Sequence, residues 1–263
     1  MELKYTLSGF LYISPQDDCN ETVDAMLATG YNEEFCIAED FNPEFISKLM
    51  EAGFLVMSMN IAGDGNEPYH ILLPKLHLVR SALFFENLHI KKSIRRILNK
   101  NASSYELKAD AEFHHIVDRC VEKHGNDWLT QPLIESIKKI RQTEKQNRKP
   151  ISNSAPDSFE PPVQLLIPDS SPYPVSFALY HDGKLAAGEF GVICGKVYTS
   201  YSGFYDEDNA GTVQIILLTQ YLQEQGFSFF DLGMPLDYKA DFGAAEIDPY
   251  EFVKLFRQAR LSK

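Results

Sequence analysis

From Lys184 to Arg260 the hydrophobic period of the chain switches between the two of a strand and the 3.6 of a helix. Leu185 to Val197 reads as a strand pair, followed by a Gly- and Tyr-rich loop around Ser200-Tyr201-Ser202-Gly203-Phe204. Thr212–Gln225 is an amphipathic helix whose apolar face carries Ile215, Leu218 and Leu222, widened by Ile216 and Leu217. A strand over Phe227–Leu232 contains Asp231 near its end, and Phe242-Gly243-Ala244-Ala245-Glu246-Ile247 precedes a last helix. Strands interleaved with single helices in this way predict an α+β fold.

Upstream, residues 1–80 read as a small α+β domain. Tyr5-Thr6-Leu7 and Phe10-Leu11-Tyr12-Ile13 alternate as strands. Asn42-Pro43-Glu44 caps a helix with Phe45, Ile46, Leu49 and Met50 on one face, ended by Gly53. Phe54–Ile61 and His70–Leu73 form a hairpin across a turn at Ala62-Gly63-Asp64-Gly65-Asn66. Residues 81–263 form the larger domain. It begins with a basic helix over His89–Lys100, continues with a helix over Ala109–Lys123, and has a third helix capped by Thr130 with Pro132 in its first turn. Seven of the 14 prolines fall between Pro150 and Pro174. That density predicts a loop inserted at about 144–174 ahead of the C-terminal strands.

Composition limits the function classes. The four cysteines (Cys19, Cys36, Cys120, Cys194) are scattered, with no CxxC pair and no histidine at ligand spacing, so no metal is expected. No apolar run nears the roughly 20 residues that cross a bilayer. The segment MELKYTLSGF has no basic region ahead of an apolar stretch, and free thiols fit a reducing cytoplasm. A net charge of -12, from 25 basic and 37 acidic residues, opposes non-specific nucleic-acid binding. One patch runs the other way: Lys91, Lys92, Arg95, Arg96 and Lys100 cluster opposite Ile90, Ile94, Ile97 and Leu98. Such a patch is either a solvated helix face or a phosphate-binding one.

Five landmarks in order resemble the leucyl/phenylalanyl-tRNA–protein transferases. HIKKSIRRILNK is similar to the family's basic helix, and Asp127-Trp128-Leu129-Thr130 to its Thr-Trp-Ile-Thr element. Leu185–Val197 resembles its Gly-rich strand pair, and Phe242–Ile247 its Leu-Gly-Ala-x-Glu-Ile signature. Glu39-Asp40-Phe41-Asn42-Pro43-Glu44 echoes Gly-Asp-Leu-x-Pro-Glu. The resemblance spans roughly residues 34–260. It implies a catalytic domain similar to that of GNAT N-acyltransferases, with aminoacyl-tRNA as donor, a protein N-terminal amine as acceptor, and no cofactor. The chain departs from the pattern too. The family's Trp-rich segments read Val56-Met57-Ser58 and Leu72-Leu73-Pro74, its Gly-Glu-Ser-Met-Phe reads Ser200–Phe204, its Asp-Cys-Gln reads Asp231-Leu232-Gly233, and a pocket methionine aligns with Glu189.

The resemblance assigns roles residue by residue. Asp231, at a strand end, would accept a proton or orient the attacking amine, with Tyr201 compensating for the Gln replaced by Gly233. Asp231 is otherwise a cap on the turn Leu232–Pro235. Trp128 is either core or, with Ser202, a platform for the tRNA 3′ end. Ile215, Leu218 and Leu222, with Gly203 and Phe204, would line the aminoacyl pocket or form plain core. Glu189 either points to solvent, as strand alternation allows, or faces the pocket and needs a cation. In the latter case an arginyl donor suits it better than leucine or phenylalanine. Transferred residues in this family mark proteins for N-degron degradation. Two other classes stay open: a non-catalytic N-degron or RNA-binding module, and an acyl-CoA-dependent GNAT enzyme. The last is disfavoured because no Gln/Arg-x-x-Gly-x-Gly/Ala loop precedes a helix.

Overall fold

The computed structural model describes residues 3–61, 69–100, 104–147 and 171–262. In chain order, strands β1 (Lys4–Tyr5) and β2 (Leu11–Tyr12) precede helices α1 (Cys19–Thr29) and α2 (Pro43–Glu51), then strands β3 (Leu55–Ile61) and β4 (Tyr69–Lys75). Next come β5 (Arg80–Leu83), α3 (Lys92–Lys100), β6 (Tyr105–Ala109), α4 (Phe113–His124) and α5 (Gln131–Asn147). The last part holds β7 (Tyr173–His181), β8 (Lys184–Cys194), β9 (Val197–Tyr205), α6 (Ala210–Glu224), β10 (Phe229–Asp231), α7 (Asp237–Asp241), β11 (Ala245–Ile247) and α8 (Pro249–Leu261).

The fold is α+β, as expected. A sheet in the order β11-β5-β10-β9-β8-β7-β6 carries helices on both faces. Its neighbours are antiparallel except β9 and β10, which run parallel and are joined through α6, as a parallel pair requires. Alternation sorts the strand residues between two apolar clusters. Val192, Cys194, Val197 and Phe229 pack with residues of α2, α4, α5 and α8. Ile193, Tyr198 and Phe230 pack with residues of α3 and α6. The first cluster also takes in Leu11, Val23 and Ile46, so the N-terminal elements share it with α8.

Local chemistry explains the element ends. Asn42 and Asp248 each accept a backbone N–H near the start of a helix with proline in its first turn. Between β7 and β8, Asp182 and Gly183 both adopt positive φ (49° and 78°), the geometry of a two-residue hairpin turn.

Several sequence expectations are corrected. The helix expected from Ala109 starts at Phe113, because Ala109 pairs with Phe177 as the end of β6 and Asp110 and Glu112 take positive φ. The basic helix begins at Lys92 instead of His89. The expected loop at Ser200–Phe204 is strand, part of β9. Of the proline-rich segment, Glu144–Asn147 is helical and Tyr173-Pro174 opens β7; 148–170 lies outside the described residues, as does the turn at 62–68.

Candidate functional site

A cavity of about 1200 Å³ opens beside the β8–β9 pair and the first turns of α6. It collects most of the residues singled out in the sequence. Trp128, Glu189, Tyr201, Ser202, Gly203, Phe204 and Ile215 all line it, and Lys91 marks its edge near the start of α3.

A bulge shapes the strand that forms its wall. Gly191 pairs with Ser200 but Phe190 pairs with Ser202, so Tyr201 is the extra residue in β9. The Tyr201 hydroxyl accepts the Val56 N–H at 3.1 Å, which leaves its own proton to donate. Burial raises that hydroxyl's pKa, so Tyr201 works here as a donor and not as a base. The Ser202 hydroxyl is shared with the Cys120 thiol.

Glu189 faces the cavity, not solvent. It is 6% exposed on the α6 face of β8, where Gly203 lies directly opposite. A Cβ at Gly203 would come within 3.1 Å of the Glu189 Cβ, so glycine there keeps space around the carboxylate. Tyr198 donates to Glu189 Oε1 at 3.0 Å, and Ser200 also bonds the carboxylate. Burial pushes its pKa up to about 7, against the hydrogen bonds from Ser200 and Tyr198 and the charge of Lys239. The cation that a buried Glu189 demands is therefore Lys239, although no direct ion pair joins them.

Asp231 is placed differently. It is fully buried behind the cavity wall, and its oxygens accept from four donors. Arg80 Nε and NH2 reach Oδ1 and Oδ2 at 2.8 and 2.6 Å, Thr199 Oγ1 reaches Oδ2 at 2.8 Å, and the Gly233 N–H reaches Oδ1 at 3.0 Å. A carboxylate so occupied and so paired is poorly suited to take a proton from an amine. Part of this is the turn-capping role, since Gly233 at φ 73° is held by the Asp231 side chain.

Sequence reasoning missed three residues. Arg80 is 1% exposed, lies over the Phe252 ring at 4.2 Å, and gives its third nitrogen to His77 Nδ1 at 3.0 Å. Because a guanidinium only donates, His77 must carry its proton on Nε2. Burial and the Arg80 charge lower the His77 pKa to about 2, so the cavity-lining ring is neutral. Lys239, on the short α7, is 7% exposed and donates to the Leu232 and Met234 carbonyls at 2.5 and 2.8 Å. Burial lowers its pKa to about 8, countered by Asp231 and Glu189. A basic residue between Val79 and Ser81 in an apolar stretch was the available signal for Arg80; nothing in DYKAD marks Lys239.

Two expected pocket residues are not in the cavity lining. Leu218 and Leu222 lie deeper along α6, fully buried against Phe230 and Phe227 in the core cluster. Ile216 lines the cavity instead. Trp128 lines it half-buried, anchored through its carbonyl to the Ser58 N–H at 2.9 Å. Lys92, Arg95, Arg96 and Lys100 are exposed along α3, whereas Lys91 is paired with Asp241 at 2.5 Å. Among the described residues no group of His, Cys, Asp and Glu is arranged to hold a metal ion, and no helix is long and apolar enough to cross a membrane.

Comparison with known proteins agrees with the sequence resemblance. The family model for leucyl/phenylalanyl-tRNA protein transferase matches residues 170–257. The leucyl/phenylalanyl-tRNA–protein transferase of Pseudomonas putida (strain W619) is 24% identical over 176 residues, 66% of this chain and 65% of that one. Its counterpart from Thermosynechococcus vestitus (strain NIES-2133 / IAM M-273 / BP-1) is 24% identical over 230 residues, 86% of this chain and 95% of that one. This chain thus spans just under two-thirds of the first relative and nearly all of the second. Solved structures that match include FemX, at 9% identity and TM-score 0.42 over 94% of this chain and 81% of that one. A GCN5-related N-acetyltransferase from Kribbella flavida matches at 12% identity and TM-score 0.32, over 89% and 73%.

Proposed function

We propose that this chain, whose second half is similar to the leucyl/phenylalanyl-tRNA–protein transferases, moves an amino acid from a charged tRNA to the N-terminal amine of a protein. One observation carries the reading: a single cavity unites the Trp128 ring, the bulged strand at Tyr201 and the Glu189–Gly203 recess, and its edge meets the start of the basic helix. The aminoacyl ester is already activated, so the protein need only hold donor and amine together and stabilise the charge that develops on the carbonyl. The terminal adenine stacks on Trp128, the exposed cations of α3 bind phosphates, and the donor side chain enters toward Glu189.

The donor is arginine. Glu189 is half-ionised near neutral pH in the empty cavity, and an incoming guanidinium ionises it fully and pairs with it on two nitrogens. A leucyl or phenylalanyl donor offers that carboxylate no donor beyond Tyr198 and Ser200 and forgoes the bidentate pair. The reaction takes place in the cytoplasm, where charged tRNA is made, and the added residue marks its acceptor for N-degron degradation. Asp231 acts through position, fixing the strand end beside the cavity.

The test mixes the protein with an acceptor peptide and separately labelled arginyl-, leucyl- and phenylalanyl-tRNA. Label in the peptide from the arginyl pool alone is the expected result. Transfer from leucyl- or phenylalanyl-tRNA retains the enzyme class and overturns the donor. Binding of charged tRNA without transfer to any peptide replaces the enzyme with a non-catalytic module, a reading that the full occupancy of Asp231 favours.

A further inference from the structure

We propose that the Lys239 ammonium is the group that stabilises the oxyanion formed at the donor ester, an assignment that rests on the transferase reading above. The acceptor nitrogen attacks the ester carbonyl carbon, forming C–N while the carbonyl π pair moves onto oxygen. Collapse of that oxyanion breaks the bond to the tRNA ribose oxygen, and the proton lost by the amine ends on that ribose oxygen. The negative oxygen needs preorganised donors in a site shielded from water.

At the end of β10 the backbone cannot supply them. The Leu232 N–H is committed to the Ser81 carbonyl at 2.9 Å and the Gly233 N–H to Asp231 Oδ1 at 3.0 Å. Asp231, whose charge acts on Lys239, is itself matched by Arg80. Lys239 meets the requirement instead. An ammonium has three N–H donors, and two are fixed on the Leu232 and Met234 carbonyls. Those two bonds lock the side chain and leave a third donor on a residue that lines the cavity, with the Tyr238 ring, another lining group, 5.7 Å from the ammonium.

The charges that face Lys239 come from three strands. Asp231 on β10 and Glu189 on β8 favour its protonated form, while Arg80 on β5 opposes it; the neighbouring His77 is neutral. The catalytic form is the ammonium, so activity declines as pH rises through about 8, where burial has brought its ionisation.

Single-turnover transfer is measured against pH for the wild type, Lys239→Met, Lys239→Gln and Lys239→Arg, with donor binding followed separately. The neutral variants are expected to lose about 10²–10³-fold in transfer rate with little change in donor affinity, and to lose the alkaline decline. Lys239→Arg, which keeps a charge that does not titrate, is expected to retain transfer and carry the decline to higher pH. If the neutral variants fail to fold, the arginine variant decides: an alkaline limb unmoved by it overturns the proposal. Folded Met or Gln variants that transfer at the wild-type rate also overturn it, and assign the oxyanion to the bulge at Tyr201. A wild type that transfers from no charged tRNA overturns the transferase reading itself.

Discussion

Arg80 holds both oxygens of Asp231 across the join between β5 and β10, at 2.8 and 2.6 Å, with neither residue more than 1% exposed. This pair belongs to the architecture of the site before it belongs to its chemistry. Removing one partner leaves an uncompensated buried charge, at a cost of about 3–5 kcal/mol. Arg80→Ala and Asp231→Ala are each expected to lower the free energy of unfolding measured in urea by that amount, with a lower midpoint. The double replacement Arg80→Met with Asp231→Leu is expected to be less damaging than either. Single variants with wild-type midpoints would show that the pair is not structural.

Glu189 sets donor preference. Glu189→Met is expected to abolish transfer from arginyl-tRNA and to admit leucyl-tRNA, while Glu189→Gln keeps the shape and loses most of the preference. The ratio of initial rates with the two donors, of the order of 10⁴ at most in the wild type, is the measurement. A methionine variant that still favours arginine would remove Glu189 from recognition.

The same carboxylate gives stability a distinctive pH course. Its pKa is about 7 in the folded chain against an ordinary 4.5, so the folded state gains relative stability below about 4.5 and loses it as pH rises to about 7. Lys239, lowered from 10.5 to about 8, acts in reverse and takes stability away as pH falls from 10.5 to 8. Their two contributions are smallest between about 7 and about 8 and grow by up to roughly 3 kcal/mol on either side, while His77, lowered from 6.5 to about 2, runs against the Glu189 contribution below 6.5. Chemical unfolding across pH should show the stability difference between wild type and Glu189→Gln falling from about 4.5 to about 7, and Lys239→Met losing the alkaline rise.

The helix α3 contributes phosphate contacts unequally. Replacing Lys92, Arg95 and Arg96 by alanine is expected to flatten the log–log salt dependence of tRNA binding by roughly 0.7–0.9 per lost contact. Lys91→Ala changes it less, because its ammonium is already paired with Asp241. Asp241→Ala is expected to tighten binding by freeing that charge. A slope unchanged by the triple replacement would put the tRNA elsewhere.

Trp128 and Leu222 separate pocket from core. Trp128→Ala is expected to weaken donor binding by about 1–3 kcal/mol through lost stacking. Leu222→Ala, deep in the α6 core, is expected to cost about 2–5 kcal/mol of stability and leave donor choice unchanged. Calorimetry for the first and unfolding curves for the second distinguish them. Reversed outcomes would exchange the two assignments.

The parts of the fold legible from sequence were those with a strong local signature. The β3–β4 hairpin, the cap at Asn42 and the two faces of α3 follow from period and turn chemistry. Ala109 was misread because an apolar residue ahead of a helical pattern extends the pattern, whereas its strand pairing is set by a partner at Phe177. Ser200–Phe204 looked like a loop because small polar residues with glycine mimic one; their extended conformation comes from pairing with β8. At the site, Glu189 was visible as a lone acid among small and apolar residues. Arg80 left a signal as a basic residue in an apolar stretch, but its partner Asp231 is 151 residues away, and the roles of His77 and Lys239 come from burial, which no local pattern announces. Leu218 and Ile215 share a helical face by period, and only depth along α6 separates core from cavity.

The position of β5 between β10 and β11 has a further consequence during synthesis. Arg80 emerges from the ribosome 151 residues ahead of Asp231, the partner that compensates it. At about 5–20 residues per second, the interval lasts on the order of 10–30 s. Throughout it, a short apolar strand carrying a guanidinium has neither sheet neighbour made. Such an unpaired edge is a template for misassembly. Closing the central sheet is therefore among the last events of folding, and a nascent chain that stalls before β10 exposes β5 to any other strand nearby.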